Sequence, residues 1–128
     1  MNIYKYDGLI CTDVEITFEG RTKILKNVVI DTGAVQSIMN SLAVEEMGIS
    51  PQYVDEISTT IGIGGVMDFF VRKVEGLKFG DLSIKDIELD FGEIDPKGEL
   101  MGLIGLDLLE KYRALIDVEL PGVTRKAT

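Results

Sequence analysis

Asp31 is the residue in this chain whose surroundings point most directly to chemistry. It ends the apolar run Val28-Val29-Ile30 and is followed by Thr32, Gly33 and Ala34. Three β-formers running into an acid, a hydroxyl residue and a glycine describe a buried strand that delivers one carboxylate to a tight turn. The glycine lets the backbone pass close to the carboxylate, so that peptide N–H groups can point at it. A carboxylate held by such donors, with a hydroxyl beside it, is suited to moving protons. The same residues also make an ordinary turn, and the rest of the chain has to decide between the two.

What the chain lacks narrows the chemistry. It has no histidine, which excludes Ser-His and Cys-His nucleophilic pairs and His-based zinc sites. Cys11 is the only cysteine, so no internal disulfide and no thiolate cluster for a metal can form. An enzyme made from this chain works with carboxylates, hydroxyls and backbone amides. The net charge of −9 argues against nucleic acid or an anionic membrane as partner, because both would repel it. No apolar run approaches membrane-spanning length. The start Met1-Asn2-Ile3-Tyr4 has no basic stretch followed by an apolar one, so the expected location is cytoplasmic.

The elements that must position Asp31 are mostly strands. With 128 residues, 45% of them hydrophobic, the chain can enclose one modest core. Ile10, Val14, Ile16 and Phe18, with Thr12 between them, alternate with Cys11, Asp13, Glu15 and Thr17, the two-residue period of a half-buried strand. Glu19-Gly20-Arg21 makes a turn, and Thr22 to Ile30 returns as the strand that leads into Asp31. Asn40 or Ser41 can cap a short helix carrying Leu42, Val44 and Met47, with Gly48 at its end. Ile57 to Ile61 and Val66 to Val74 flank Gly62-Ile63-Gly64-Gly65, a hairpin with a glycine-dense tip that can serve as a plain turn or as a moving lid. Gly80-Asp81 turns the chain again before Ile87, Leu89 and Phe91. Leu103-Ile104-Gly105 reads as a buried strand and a glycine before a short helix, with Asp107 near the helix N-terminus, where negative charge is favoured. Residues 1–118 are expected as one domain and 119–128 as a loose tail. Phe18-Glu19-Gly20 leading to Asp31 is loosely echoed by Phe79-Gly80-Asp81 leading to Asp90.

Three features thus follow in order: Asp31-Thr32-Gly33-Ala34 after an apolar strand, the glycine tip at 62–65, and Leu103-Ile104-Gly105 before a helix. Together they resemble the retroviral-type, retropepsin-like aspartic proteases, in particular their cellular and bacterial single-domain relatives, over roughly residues 10 to 118. The resemblance implies a mostly-β fold, a closed β-barrel or sandwich with one or two short helices. By the same resemblance Asp31 would be the catalytic acid, Thr32 would lock two active-site loops together, and the backbone of Gly33 would approach the carboxylates. Gly62, Ile63, Gly64 and Gly65 would form a flap over the substrate, and Leu103, Ile104 and Gly105 would pack beneath the loop. Ser37 falls where the viral enzymes often have Thr and is expected to hydrogen-bond locally. Val35 and Leu106 stand where those enzymes commonly carry an Asp–Arg ion pair. An apolar contact could replace the pair without leaving a lone buried charge.

Asp-Thr-Gly occurs once, and no Asp-Ser-Gly is present. An aspartic protease needs two carboxylates, one to take a proton from water and one to hydrogen-bond the scissile carbonyl. One copy per chain therefore implies a twofold homodimer. The expected function is that of an aspartic endopeptidase on a peptide or protein substrate, with no metal or organic cofactor. A catalytically silent dimeric peptide-binding or scaffold module on the same fold is the alternative, and a plain structural barrel is a third.

Overall fold

The computed structural model describes residues 3–52, 57–62, 65–95, 97–119 and 122–126. After a short β1 (Tyr4–Tyr6), β2 (Leu9–Phe18) buries Thr12, Val14, Ile16 and Phe18, as its alternation requires. β3 (Arg21–Ile30) returns antiparallel to it, from Phe18↔Arg21 to Cys11↔Val29. The last residues of β3, Val28, Val29 and Ile30, are all buried, so the strand is covered on both faces as it reaches Asp31.

β4 (Ile38–Asn40) leads into α1 (Ser41–Val44), where the Asn40 side chain accepts from the Leu42 N–H at 3.1 Å and caps the helix. A single 3₁₀ turn, Glu45–Met47, ends at Gly48. β5 (Ile57–Gly62) and β6 (Gly65–Phe79) form a hairpin closed by the Gly62↔Gly65 pair. Ile63 and Gly64, expected at the tip of a flap, lie outside the described residues. β7 (Leu82–Gly92) pairs with β6 from Phe69↔Gly92 to Phe79↔Leu82, so among the described residues Gly65–Asp68 of β6 pair with β5 alone. β8 (Gly102–Ile104), α2 (Leu106–Lys111), β9 (Ala114–Asp117) and β10 (Gly122–Arg125) complete the chain.

The main sheet runs β1-β2-β3-β8-β4-β7-β6-β5, and an additional β2–β6 pairing closes β2, β3, β8, β4, β7 and β6 into a barrel. The fold is therefore the mostly-β barrel with short helices that the resemblance implies. Val14, Ile16, Leu25, Val74, Leu77 and Phe91 fill its interior. The two hairpins β2–β3 and β6–β7 each take in a strand from the other half of the chain. β8 lies parallel to β3, β4 lies parallel to β7, and β4 and β8 run antiparallel between them. The sequence echo marks the tight turns of these two hairpins. No helix among the described residues is long and apolar enough to cross a membrane.

Within residues 119–128, expected as a loose tail, Gly122–Arg125 form a strand instead. Gly122–Arg125 pairs antiparallel with β9, and Val123 is 1% exposed. The Val123 carbonyl accepts from the Asp81 N–H at 3.1 Å, at the β6–β7 turn. Gly80 beside it has φ +58°, and a Cβ there would lie 2.4 Å from that carbonyl oxygen. One apolar residue in a polar stretch carries too little periodicity to announce a strand, yet it is the residue that docks. Val123→Ala should lower the unfolding free energy by roughly 1.5–3 kcal/mol, the value of a fully buried side chain of this size, read as a lower urea midpoint at unchanged slope.

Candidate active site

The loop after β3 is held from two sides. Its first residue continues the β3–β8 pairing, with the Asp31 N–H donating to the Ile104 carbonyl at 2.9 Å. The chain then turns tightly, and the Ala34 N–H donates to the Asp31 carbonyl at 3.1 Å. The Gly33 N–H donates to Asp31 Oδ1 at 2.9 Å, the contact between backbone and carboxylate that the glycine permits. From the far side, the Leu106 N–H reaches the Ala34 carbonyl at 2.8 Å and the Asp107 N–H reaches the Val35 carbonyl at 3.2 Å. The first turn of α2 thus spends two of its free N–H groups on this loop.

Gly105 makes the approach possible. A Cβ at this position would sit 2.7 Å from the Ala34 carbonyl oxygen and 2.9 Å from the Gln36 carbonyl carbon and oxygen. All three are backbone atoms with no room to give. Loop and helix can touch only because residue 105 has no side chain.

Two further contacts fix the loop's outgoing end. Ser37, 4% exposed, donates from Oγ to Asp107 Oδ1 at 2.5 Å and from its N–H to Asp107 Oδ2 at 3.0 Å, while its Oγ accepts from the Gly105 N–H at 2.8 Å. Its hydrogen bonding is therefore not local, because the partner lies on α2. Gln36 donates from Nε2 to Asp90 Oδ2 at 2.5 Å, tying the loop to β7. Partial burial pushes the Asp90 carboxyl above its ordinary range. The Gln36 hydrogen bond opposes that shift, and the nearby Asp107 and Glu88 add to it.

The side chains of the loop face outward. Asp31 is half-buried, Thr32 and Gly33 are exposed, and Val35 is 80% exposed. Val35 therefore presents most of its side chain to solvent within one chain. Leu106 lines an open groove of about 390 Å³ together with Thr32, Leu109, Arg113, Ala114 and Ile116. Among the described residues no three Cys, Asp or Glu side chains converge in a way that would hold a metal ion.

The aspartyl protease family model matches residues 14–108, from β2 into α2, and this span includes the loop and everything that supports it. The chain belongs to the retropepsin-like aspartyl protease family. No curated protein matches it.

Within this aspartyl protease, Asp31, Thr32, Gly33 and Ala34 are brought together with Leu103, Ile104 and Gly105 by the β3–β8 pairing and the bonds above. Gly62 and Gly65 lie apart from them along the chain, at the end of the β5–β6 ribbon. Gln36 is a supporting residue that the sequence did not single out, and Asp90 and Asp107 were legible there only as the end of a loose echo and as an acid at a helix start. A glutamine after a turn, an acid in a strand and an acid at a helix start are each commonplace, and only the fold joins them.

The raised Asp90 carboxyl has a stated sign in stability. The folded protein holds this proton more tightly than the unfolded chain, whose ordinary value is 3.8. The group therefore favours folding in full below that value and loses this contribution as pH rises through its higher folded value. Asp90→Asn, which keeps an oxygen for Gln36, should raise the urea midpoint at pH 7 and bring no gain at pH 3.

Proposed function

We propose that this protein is a homodimeric aspartic endopeptidase in which each chain supplies one Asp31. The observation that carries the reading is a single Asp-Thr-Gly loop, braced from behind and open at the front, in a chain of the aspartyl protease family. One ionised Asp31 takes a proton from water as the water oxygen attacks the peptide carbonyl carbon. The other Asp31, protonated, hydrogen-bonds the carbonyl oxygen as the tetrahedral intermediate forms. Collapse of that intermediate breaks the C–N bond, and a proton passes from the dyad to the leaving nitrogen. A shared proton between two such carboxylates is general to aspartic proteases. The chemistry needs no metal or organic cofactor.

The substrate is a peptide or protein segment bound in extended form, its main chain hydrogen-bonded as an added strand. Gly62 to Gly65 are the flap. The two-stranded ribbon of β5 and the first part of β6 is the right kind of element for it, with three glycines in four positions at its tip. Thr32 joins the two loops across the twofold axis, and the groove next to it is covered by the second copy, together with the exposed Val35. The cytoplasm, where a single reduced cysteine is the ordinary state, is the proposed location.

Two experiments test this reading. Asp31→Asn should lower cleavage of a diverse peptide pool by about 10²–10⁴-fold or more while leaving the fold and dimer in place. Cleavage at the wild-type rate would show that the carboxylate is not catalytic. In sedimentation the wild type should dimerise with rising concentration. Leu106→Glu adds an acid that the first turn of α2 tolerates but places a charge in the groove, and should weaken the dimer by about tenfold or more, about 1.4 kcal/mol. A monomeric wild type with full activity excludes the shared site.

A further inference from the structure

We infer that Asp107 is a positioning residue for Asp31, acting through Ser37, an inference that rests on the endopeptidase reading above. An acid in the first turn of a helix is ordinarily explained by the helix dipole alone. The contacts of Asp107 say more. Its carboxylate turns back from α2 and accepts three hydrogens, from the Ser37 N–H at 3.0 Å, the Ser37 hydroxyl at 2.5 Å and the Leu108 N–H at 2.8 Å. Because the hydroxyl donates to Asp107, its lone pairs are free to accept the Gly105 N–H at 2.8 Å. A directed chain results, from the Gly105 amide through the Ser37 hydroxyl to the Asp107 carboxylate.

A carboxyl group, with an acceptor oxygen on each side, can take all three donors at once. An amide at this position would present an NH₂ group to one of them, and the donor left over would belong to Ser37, which is buried, or to the helix start. The chain matters to the reaction because of where it sits. The incoming end of the loop is fixed by the Asp31 N–H on the Ile104 carbonyl. The outgoing end is fixed at Ser37, and the segment between is held further by the Leu106 and Asp107 N–H groups on the Ala34 and Val35 carbonyls and by Gln36 on Asp90. Asp107 thus sets the buried anchor at the outgoing end of the loop that carries the Asp31 carboxylate, without touching substrate itself.

A misplacement on the order of 1 Å at a reacting group can cost about 100-fold in rate. Asp107→Asn and Ser37→Ala should therefore each lower kcat by about 10- to 100-fold with little change in KM. The double variant should be scarcely worse than either single one, since both break the same chain. Ser37→Thr keeps the hydroxyl and should recover most of the loss. Val123→Ala, remote from the loop, serves as the control for stability and should leave kcat unchanged. The second readout is independent of cleavage: in Asp107→Asn the Gly105 and Leu106 amides should exchange with solvent faster, while the β2–β3 amides keep their protection. Wild-type kcat and wild-type exchange at these amides in Asp107→Asn would overturn the inference. So would a loss of activity that Val123→Ala reproduces, or a Ser37→Thr variant no better than Ser37→Ala. If the wild type cleaves no peptide, the endopeptidase reading fails, and the amide exchange still decides whether Asp107 anchors the loop.

Discussion

The insertion of β8 between β3 and β4 is the constraint from which the site follows. β3 and β4 are consecutive in the chain, yet each pairs with β8 instead of with the other. Two strand spacings, roughly 10 Å, therefore separate them, and residues 31–37 have to cross the end of β8 to join them. That crossing is what lifts Asp31 out of the sheet while its own N–H still takes the next β8 carbonyl. Space for the crossing is obtained by leaving side chains out. A Cβ on Gly102 would lie 2.7 Å from Met39 Sδ, and one on Gly105 would meet the backbone of the loop. The two glycines bracket the apolar pair Leu103-Ile104, so the short segment that supports the site has little freedom to vary.

The same topology bears on why, in the proposed dimer, the second carboxylate would come from another chain. Two further acids lie against the loop, Asp90 and Asp107, and both are committed to holding it. Asp90 accepts from Gln36, and Asp107 accepts from Ser37 and Leu108. The sequence echo aligns Asp90 with Asp31, but β7 runs on through Phe91 and Gly92 alongside β4, so Asp90 stays within a strand and never reaches a turn. Of the three acids at the loop, only Asp31 is bound by the loop's own backbone alone, through the Gly33 N–H. In the proposed dimer a twofold axis would supply the missing partner at no cost in sequence, because the same exposed loop is then used twice.

The parts legible in the sequence are those encoded over short distances. The alternation in β2, the unbroken run Val28-Val29-Ile30 into Asp31, and the Asn40 cap each depend on residues within a few positions of one another, and each has its local physical signature. The exchange of β4 and β8 between the two halves has none, since three-residue strands such as Ile38–Asn40 and Gly102–Ile104 are too short for periodicity to speak. The Ser37–Asp107 bonds span 70 positions and join residue types that are common in loops and at helix starts. Val35 and Leu106 are read in the sequence only as the replacement of an ion pair, and the fold alone shows that Val35 is 80% exposed and that Leu106 lines an open groove.

The contrast between the two faces of the loop is informative about how a site on a symmetry axis must be built. Behind it, Ile104, Gly105 and Ser37 are buried and their polar groups are paired; in front, Thr32, Gly33 and Val35 are open to solvent. In the proposed dimer the gap between the two Asp31 carboxylates is set by both chains equally, so a displacement of the loop away from the axis counts twice. An error of half an ångström per chain becomes one ångström across the dyad, enough to lengthen a hydrogen bond beyond use. Residues on the axis cannot correct this, because each meets only its own mirror in the other chain. Precision has to come from below, from bonds within one chain that fix the loop before the second copy arrives. Those bonds run to β8, to the start of α2 and to β7, elements already anchored in the barrel. The fold thus places paired, buried hydrogen bonding one layer beneath the surface proposed to do the chemistry.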